Sequence, residues 1–206
     1  MNLRWLTAGG AVAAVTVGIL VFWGTGVTGL ALLTLFFVSG SLLTAWNERQ
    51  PLRNARQVIA NGGWAAMGAV VVQWKPEVGW AMLVGSLATA QADTWATEIG
   101  ARSARPPRLI TTRQTVPAGT SGGVTPLGTR AGVAGAVALA GLGALVSLPL
   151  RLAALAAAVG VLGMMVDSLL GATLEHRGWL GNDGVNLVAT SFGALASVTL
   201  SQAVGT

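Results

Sequence analysis

Residues 78–100 read VGWAMLVGSLATAQADTWATEIG. Residues 78–92 carry no charge, and two acids, Asp93 and Glu98, follow them. A membrane-spanning α-helix needs about 20 mostly apolar residues, and the first part of this stretch provides them. Ionisable groups within a membrane span are costly, and they indicate function unless a structural partner accounts for them. The stretch therefore predicts a membrane helix that carries acidic groups at one end.

The composition of the whole chain agrees with this interpretation. Of the 206 residues, 53% are hydrophobic and 9% are charged, whereas soluble domains carry roughly 25% charged residues. We therefore expect an all-α, polytopic membrane protein that forms a single integral membrane domain over residues 1–206. The chain has no cysteine, which excludes disulfides and thiolate metal sites. Its one histidine, His176, lies in a predicted loop, which argues against a Ser-His-Asp triad.

Several apolar stretches are long enough to cross a bilayer, and turn-forming residues such as GTG at 24–26 and KPE at 75–77 separate them. The stretches are Leu3–Phe22, Val27–Trp46, Val58–Trp74, Val78–Thr97, Thr129–Leu148, Leu152–Leu174 and Val185–Val204. We therefore predict about seven transmembrane helices.

Lysine and arginine are distributed unevenly over the two sides of these spans. One side holds Arg4, Arg49, Arg53, Arg56, Arg102, Arg105, Arg108, Arg113, Arg130 and Arg177. The other side holds only Lys75 and Arg151. The positive-inside rule then predicts a cytoplasmic N-terminus and an external C-terminus in the inner (plasma) membrane of the cell. The net charge of +5 thus reports topology, and we expect no nucleic-acid partner.

Polar residues from separate parts of the chain collect at the predicted cytoplasmic level. They are Asn61, Asp93, Glu98, the loop at 117–129, Asp167, Ser168, Asn182 and Asn186. This convergence is the strongest indication of a functional site. Glu98 taken alone has an equally good structural interpretation, as an ion-pair partner of Arg102 or Arg105.

Small residues share a helical face with each of two aspartates. One face carries Gly85, Thr89 and Asp93, and the other carries Gly160, Gly163, Asp167 and Gly171. Such faces let membrane helices approach closely, so the fourth and sixth spans should pack together and bring Asp93 near Asp167. Two ionised aspartates at short range repel each other, and a divalent cation removes that repulsion. Mg²⁺ is expected, because it binds one or two carboxylates together with phosphate and water oxygens.

Glu98 is placed differently from Asp93 on the same helix. Five residues further on, it is turned roughly 140° away in an ideal helix. It can bind the same Mg²⁺ only if the helix ends or unwinds near Gly100.

A glycine-rich loop, GTSGGVTPLGT at 119–129, follows the fourth span. Successive free backbone N–H groups and the start of the next helix both favour an anion. The loop lacks the Gly-Lys-Ser/Thr sequence of a Walker A motif, but beside two acids it predicts a nucleotide or diphosphate held with Mg²⁺. The expected phosphate-binding groups of this region are Gly119, Thr120, Ser121, Gly122, Gly123 and Thr125, and the further phosphate contacts are expected among Arg102, Arg105, Arg108 and Arg113.

The motifs QVIANGG (57–63), ADTWATEIG (92–100), GTSGGVTPLGT (119–129), DSLLGATLE (167–175) and GNDGVN (181–186) resemble one known family. It is an integral membrane family of the unknown-function class that includes the plant and cyanobacterial phytyl-phosphate kinases. The resemblance implies phosphoryl transfer from a nucleoside triphosphate, CTP or similar, to an isoprenyl monophosphate such as phytyl or geranylgeranyl phosphate. It implies site roles for Asn61, Asp93, Glu98, Gly122, Gly123, Thr125, Asp167, Ser168 and Asn186. Glu175 departs from the family pattern, in which glutamine is expected, and this weakens a catalytic role for it.

Other functions stay open at this point. The layout also resembles membrane cytidylyltransferases, which use CTP, Mg²⁺ and a lipid phosphate but attack a different phosphorus. A cation-coupled transporter would use the acids as an ion path, although transporters place their sites near the midplane, and here the outer halves of the spans are apolar. A lipid-binding scaffold would leave the paired acids unexplained. A homodimer is compatible with the sequence.

Overall fold

The computed structural model describes residues 5–47 and 52–204. In these ranges the chain is an all-α membrane protein with six α-helices. They are α1 (Ala8–Trp46), α2 (Ala55–Val71), α3 (Pro76–Gly100), α4 (Pro126–Leu145), α5 (Leu150–Leu170) and α6 (Asn182–Val204). A π-helical turn, Gly171–Glu175, extends α5. The start of the first predicted span at Leu3, together with Arg4 and Arg49, lies outside the described residues.

The first helix, α1, doubles back on itself at Gly26. This glycine has φ +61°, a left-handed backbone conformation inside an otherwise helical element of 39 residues. The rings of Trp5 and Phe37 are 5.9 Å apart, whereas a straight helix would separate them by about 48 Å. The predicted spans Leu3–Phe22 and Val27–Trp46 therefore correspond to two helical segments of α1, one on each side of the predicted turn at GTG 24–26.

Four helical segments of the described chain are long and apolar enough to cross a membrane. They are Ala8–Trp46, Pro126–Leu145, Leu150–Glu175 and Asn182–Ala203. Judged by the length and composition of the described helices, four candidate spans are found, and the predicted number of seven is not supported. The helix α2 has only 17 residues, and α3 is long enough, with 25 residues, but is not apolar enough.

The third helix, α3, is the centre of the bundle. Its residues 81–92 are all buried, and the other helices approach it at glycines. On α4, a Cβ at Gly128 would lie 2.7 Å from the Ala96 carbonyl oxygen. On α5, a Cβ at Gly160 would lie 2.8 Å from the Ala88 carbonyl oxygen. The bundle therefore depends on close backbone approach, which small residues permit.

The predicted packing of the two small-residue faces is confirmed for α3 and α5. A Cβ at Gly163 would overlap the Thr89 side chain, 2.9 Å from its Cβ. Gly85 belongs to another contact, since it packs against Ser197 and the Gly193 carbonyl of α6. The spacing identified the face of α3 correctly, but this face is wide enough to meet two neighbours.

The connection between α3 and α4 covers one end of the bundle, which we name the loop end. It contains two short antiparallel strands, β1 (Arg108–Leu109) and β2 (Gly123–Val124), with Arg108 opposite Val124 and Leu109 opposite Gly123. Strands of two residues are too short to produce a periodic sequence pattern, so the all-α prediction did not include them. The helices α3 and α5 both end here, while α4 and α6 begin here.

Candidate functional site at the loop end

A cavity of about 1250 Å³ lies at the loop end. The last turns of α3 and α5, the start of α4, the π-helical turn and the connection at 101–125 form its walls. Sites for one small molecule usually measure about 300–1,000 Å³. This cavity is therefore large enough for the polar parts of two reactants.

Two aspartates from different helices meet in this cavity, as the sequence predicted. Asp93 of α3 and Asp167 of α5 are half-buried, and their side chains lie within hydrogen-bonding reach of each other. The Oδ2 atom of Asp167 is buried and has no hydrogen-bond partner among the described residues. Glu175 of the π-helical turn also lines the cavity and acts electrostatically on both aspartates. The arrangement concentrates negative charge and leaves one carboxylate oxygen unsatisfied.

This pair of aspartates fits Mg²⁺ better than a metal that needs an all-protein site. Within residues 5–47 and 52–204, no group of three or more His, Cys, Asp or Glu side chains could hold a metal ion. Mg²⁺ is commonly bound through one or two carboxylates, with substrate phosphates and water supplying the other ligands. The unsatisfied oxygen of Asp167 is the kind of ligand that such an ion would use.

Glu98 also lines the cavity, and both oxygens of its carboxylate are hydrogen-bonded to the end of α1. Its Oε1 accepts a hydrogen bond from the Thr44 hydroxyl (2.6 Å), and its Oε2 accepts one from Nδ2 of Asn47 (2.7 Å). Arg53 donates to the Thr44 hydroxyl (3.3 Å) and interacts electrostatically with Glu98. Burial lowers the pKa of the Arg53 guanidinium, and the Glu98 carboxylate opposes this effect. The helix α3 stays helical to Gly100, so the unwinding that would turn Glu98 towards Asp93 is not seen.

The glycine-rich loop forms part of the cavity wall. Gly122 has φ +76°, and a Cβ there would lie 2.6 Å from Cα of Ala172 in the π-helical turn. The Thr125 hydroxyl caps α4 by accepting a hydrogen bond from the Gly128 N–H (3.0 Å). The predicted phosphate-binding residues that line the cavity are Gly119, Thr120, Ser121, Gly122, Gly123, Thr125, Ser168 and Asn182. This loop is thus packed against the π-helical turn at Gly122 and continues into α4 at Thr125.

Three predicted site residues do not line this cavity in the described structure: Asn61, Asn186 and Arg113. Asn61 and Asn186 lie where α2 meets α6, a contact at which the Thr190 hydroxyl bonds to the carbonyl oxygens of Ala60 (2.7 Å) and Asn186 (2.9 Å). Arg113 lies in the turn after β1, and its carbonyl accepts a hydrogen bond from Arg108 (3.3 Å). The sequence predicts that these residues lie at the same end of the bundle as the aspartates, but this does not determine whether they reach the cavity.

The sequence interpretation missed two cavity residues at the end of α1, Trp46 and Asn47. In the sequence, Trp46 is the last residue of a predicted span and Asn47 begins a predicted loop. Neither carries a charge, and their distance from the acids in the sequence is large. Only the doubling back of α1 at Gly26, which places its end beside the end of α3, brings them to the cavity.

Comparison with known proteins places the chain in a family. The family model described as Integral membrane protein DUF92 matches residues 1–194. An uncharacterised membrane protein of Methanocaldococcus jannaschii is 33% identical over 207 residues, which cover 96% of this chain and 86% of that protein. No solved structure matches significantly.

Two proteins of Arabidopsis thaliana are also similar to this chain. Protein PGR is 31% identical over 187 residues, covering 72% of this chain and 65% of that protein. Protein VTE6, chloroplastic, is 28% identical over 223 residues, covering 96% of this chain and 66% of that protein. The matches thus cover just under two thirds of each of these longer relatives. By the family match and the archaeal relative, the chain belongs to the integral membrane family DUF92, the family that its motifs resemble.

Proposed function

We propose that this protein is a membrane-embedded kinase that transfers a phosphoryl group from a nucleoside triphosphate, CTP or similar, to an isoprenyl monophosphate. Phytyl or geranylgeranyl phosphate is the proposed acceptor, and the diphosphate is the product. One observation carries the proposal. Asp93 and Asp167 lie together beside the glycine-rich loop in one cavity, and Oδ2 of Asp167 has no hydrogen-bond partner among the described residues. The motifs of the chain resemble the family that includes the phytyl-phosphate kinases, and its membership of DUF92 supports the same reaction.

The residues of the cavity have separate roles in this proposal. Asp93 and Asp167 hold Mg²⁺, which when bound neutralises charge that develops on the transferred phosphoryl group. The glycine-rich loop and Ser168 receive the nucleotide phosphates through backbone N–H and hydroxyl groups. An oxygen of the lipid phosphate attacks the γ-phosphorus, and the nucleoside diphosphate leaves. No general base is required, because the second pKa of a phosphate monoester is about 6.

We propose that the loop end faces the cytoplasm, where nucleotides are available. Among the described residues, the loop end carries Arg53, Arg56, Arg102, Arg105, Arg108, Arg113, Arg130 and Arg177. The opposite end carries Lys75 and Arg151. This asymmetry favours a cytoplasmic loop end in the cell membrane. The isoprenoid tail would lie between helices while its phosphate reaches the cavity from the bilayer.

The test uses purified protein, Mg²⁺, labelled nucleoside triphosphates and prenyl monophosphates, with products identified by mass. Asp93→Asn and Asp167→Asn should each lower turnover by about 100-fold or more, because the metal contributes several kcal/mol of charge stabilisation. Glu77→Gln, in the first turn of α3 at the opposite end, is the matched control and should keep activity. Full activity of both aspartate variants, with normal membrane insertion, would refute the metal-binding role.

The same product analysis separates the alternatives. A prenyl diphosphate identifies the kinase, and a nucleotide-linked lipid identifies a CTP-dependent cytidylyltransferase. Ion flux in proteoliposomes without nucleotide consumption identifies a cation-coupled transporter.

A further inference from the structure

We infer that Arg102 is an anion ligand of the cavity and that Glu98 positions it through Asn47. The inference rests on the proposed function, and it names the phosphates of the nucleoside triphosphate as the bound group. It gives Glu98 a role as a positioning residue and assigns the binding contact to a residue in the first turn after α3.

Arg102 is held at the cavity wall by three contacts. Its Nε donates to Oδ1 of Asn47 (3.1 Å), and its Nη2 donates to the Trp46 carbonyl oxygen (2.6 Å). Its guanidinium lies over the Trp46 ring, with Cζ 3.4 Å from the ring centroid. Stacking on an indole face and hydrogen bonds at the guanidinium edge restrict both the plane and the rotation of the group. Arg102 is therefore preorganised before any ligand binds.

The orientation of Asn47 explains why Glu98 matters for Arg102. The amide Nδ2 of Asn47 donates to Oε2 of Glu98 (2.7 Å) and to the Glu98 carbonyl oxygen (2.9 Å). With Nδ2 engaged in this way, the other amide atom, Oδ1, is left to accept from Arg102. The Thr44 hydroxyl donates to the second oxygen of Glu98 (2.6 Å). Glu98 thus fixes an amide that in turn fixes the guanidinium.

The remaining binding capacity of Arg102 suits an anion. Both of its hydrogen-bond acceptors are neutral, so they do not cancel its positive charge. A guanidinium has five N–H groups, and Nη1 donates to no acceptor in residues 5–47 and 52–204. Nη1 can therefore donate a charge-assisted hydrogen bond to a nucleotide phosphate.

Arg105 also lines the cavity, and comparison with it distinguishes Arg102. Among the described residues, the hydrogen bond that Arg105 donates comes from its backbone N–H and goes to the Ser103 hydroxyl (3.1 Å). A guanidinium that keeps its rotational freedom loses more entropy when it binds. Arg102, which is already ordered, is the better phosphate ligand.

The experiment measures binding of inorganic pyrophosphate to the purified protein by calorimetry, and the KM and kcat of the nucleotide reaction. Arg102→Gln should weaken pyrophosphate binding and raise the nucleotide KM by about tenfold or more, the effect of one lost charged hydrogen bond. Arg102→Lys should recover part of the loss. The matched control is Arg177→Gln, since Arg177 also lies over a tryptophan, Trp179, at 5.6 Å and does not line the cavity among the described residues. It should bind pyrophosphate like the wild type.

A second set of variants tests the role of Glu98. Glu98→Gln should raise the nucleotide KM, leave the Mg²⁺ concentration for half-maximal rate unchanged, and add little to the effect of Arg102→Gln in the double variant. A shifted Mg²⁺ requirement in Glu98→Gln would overturn the positioning role. Unchanged pyrophosphate binding in Arg102→Gln, or none in the wild type, would overturn the ligand role. If pyrophosphate binding depends on Arg102 but no nucleotide yields a prenyl diphosphate, the kinase proposal fails and the anion site stands.

Discussion

Replacement of Gly122 by alanine tests whether the glycine-rich loop must pack against the π-helical turn. The left-handed conformation at φ +76° costs a non-glycine residue about 1–2 kcal/mol. The new Cβ would also lie 2.6 Å from Cα of Ala172, and overpacking of this kind costs about 1–3 kcal/mol. Together, the two effects should destabilise the observed position of the loop by about 2–5 kcal/mol. Because the π-helical turn is anchored to α5, we expect the loop to move away from it.

The assay is prenyl diphosphate formation at limiting nucleotide, with thermal unfolding in detergent as a check on folding. Displacement of the loop should lower kcat/KM for the nucleotide by about tenfold or more, since a small misplacement of binding groups is expensive. Gly178→Ala is the matched control. Gly178 also has positive φ (+73°) but has no atom within 4 Å of its Cβ position, so this variant bears the conformational cost alone. If both variants keep equal kcat/KM, the close contact at Gly122 is not required and this reasoning is wrong.

Two further predictions concern stability of the helix bundle. Gly163→Val should destabilise the protein by about 1–3 kcal/mol, because its side chain would overlap Thr89 where α3 meets α5. Gly141→Val, with no atom within 4 Å of the Cβ position, is its control in thermal unfolding, and equal melting temperatures would contradict the prediction. Thr125→Ala should cost about 1 kcal/mol by removing the cap on the Gly128 N–H, and Thr125→Ser should restore it. An unchanged melting temperature in Thr125→Ala would show that another group replaces the cap.

The part of the site that could be predicted from sequence is the part that helical spacing determines. Asp93 and Asp167 each follow a run of small residues on one face, and small faces in a membrane protein pack together. The end of the bundle at which they lie follows from chain direction, since both aspartates stand near the C-terminal ends of their helices. The position of the glycine-rich loop near the aspartates follows from its place in the sequence, in the connection between α3 and α4.

The parts that could not be predicted depend on lateral arrangement. The spacing of small residues identifies a face of a helix but not the neighbouring helix that covers it. On one face of α3, Gly85 packs against α6, whereas Thr89 packs against Gly163 of α5. Asn61 and Asn186 lie at the contact between α2 and α6 and do not line the cavity in the described structure. The reversal of α1 at Gly26, by contrast, follows from the turn-forming residues GTG at 24–26.

The two acids of α3 illustrate how one helix can serve two partners. Because five residues correspond to a rotation of roughly 140°, Asp93 and Glu98 must face different neighbours as long as α3 remains helical, and it does so to Gly100. Asp93 meets an aspartate, which leaves charge unsatisfied and available to an ion. Glu98 meets hydroxyl and amide donors, which satisfy both of its oxygens. Acids that lie close in one motif thus need not bind one metal, and the donors opposite each acid decide its role.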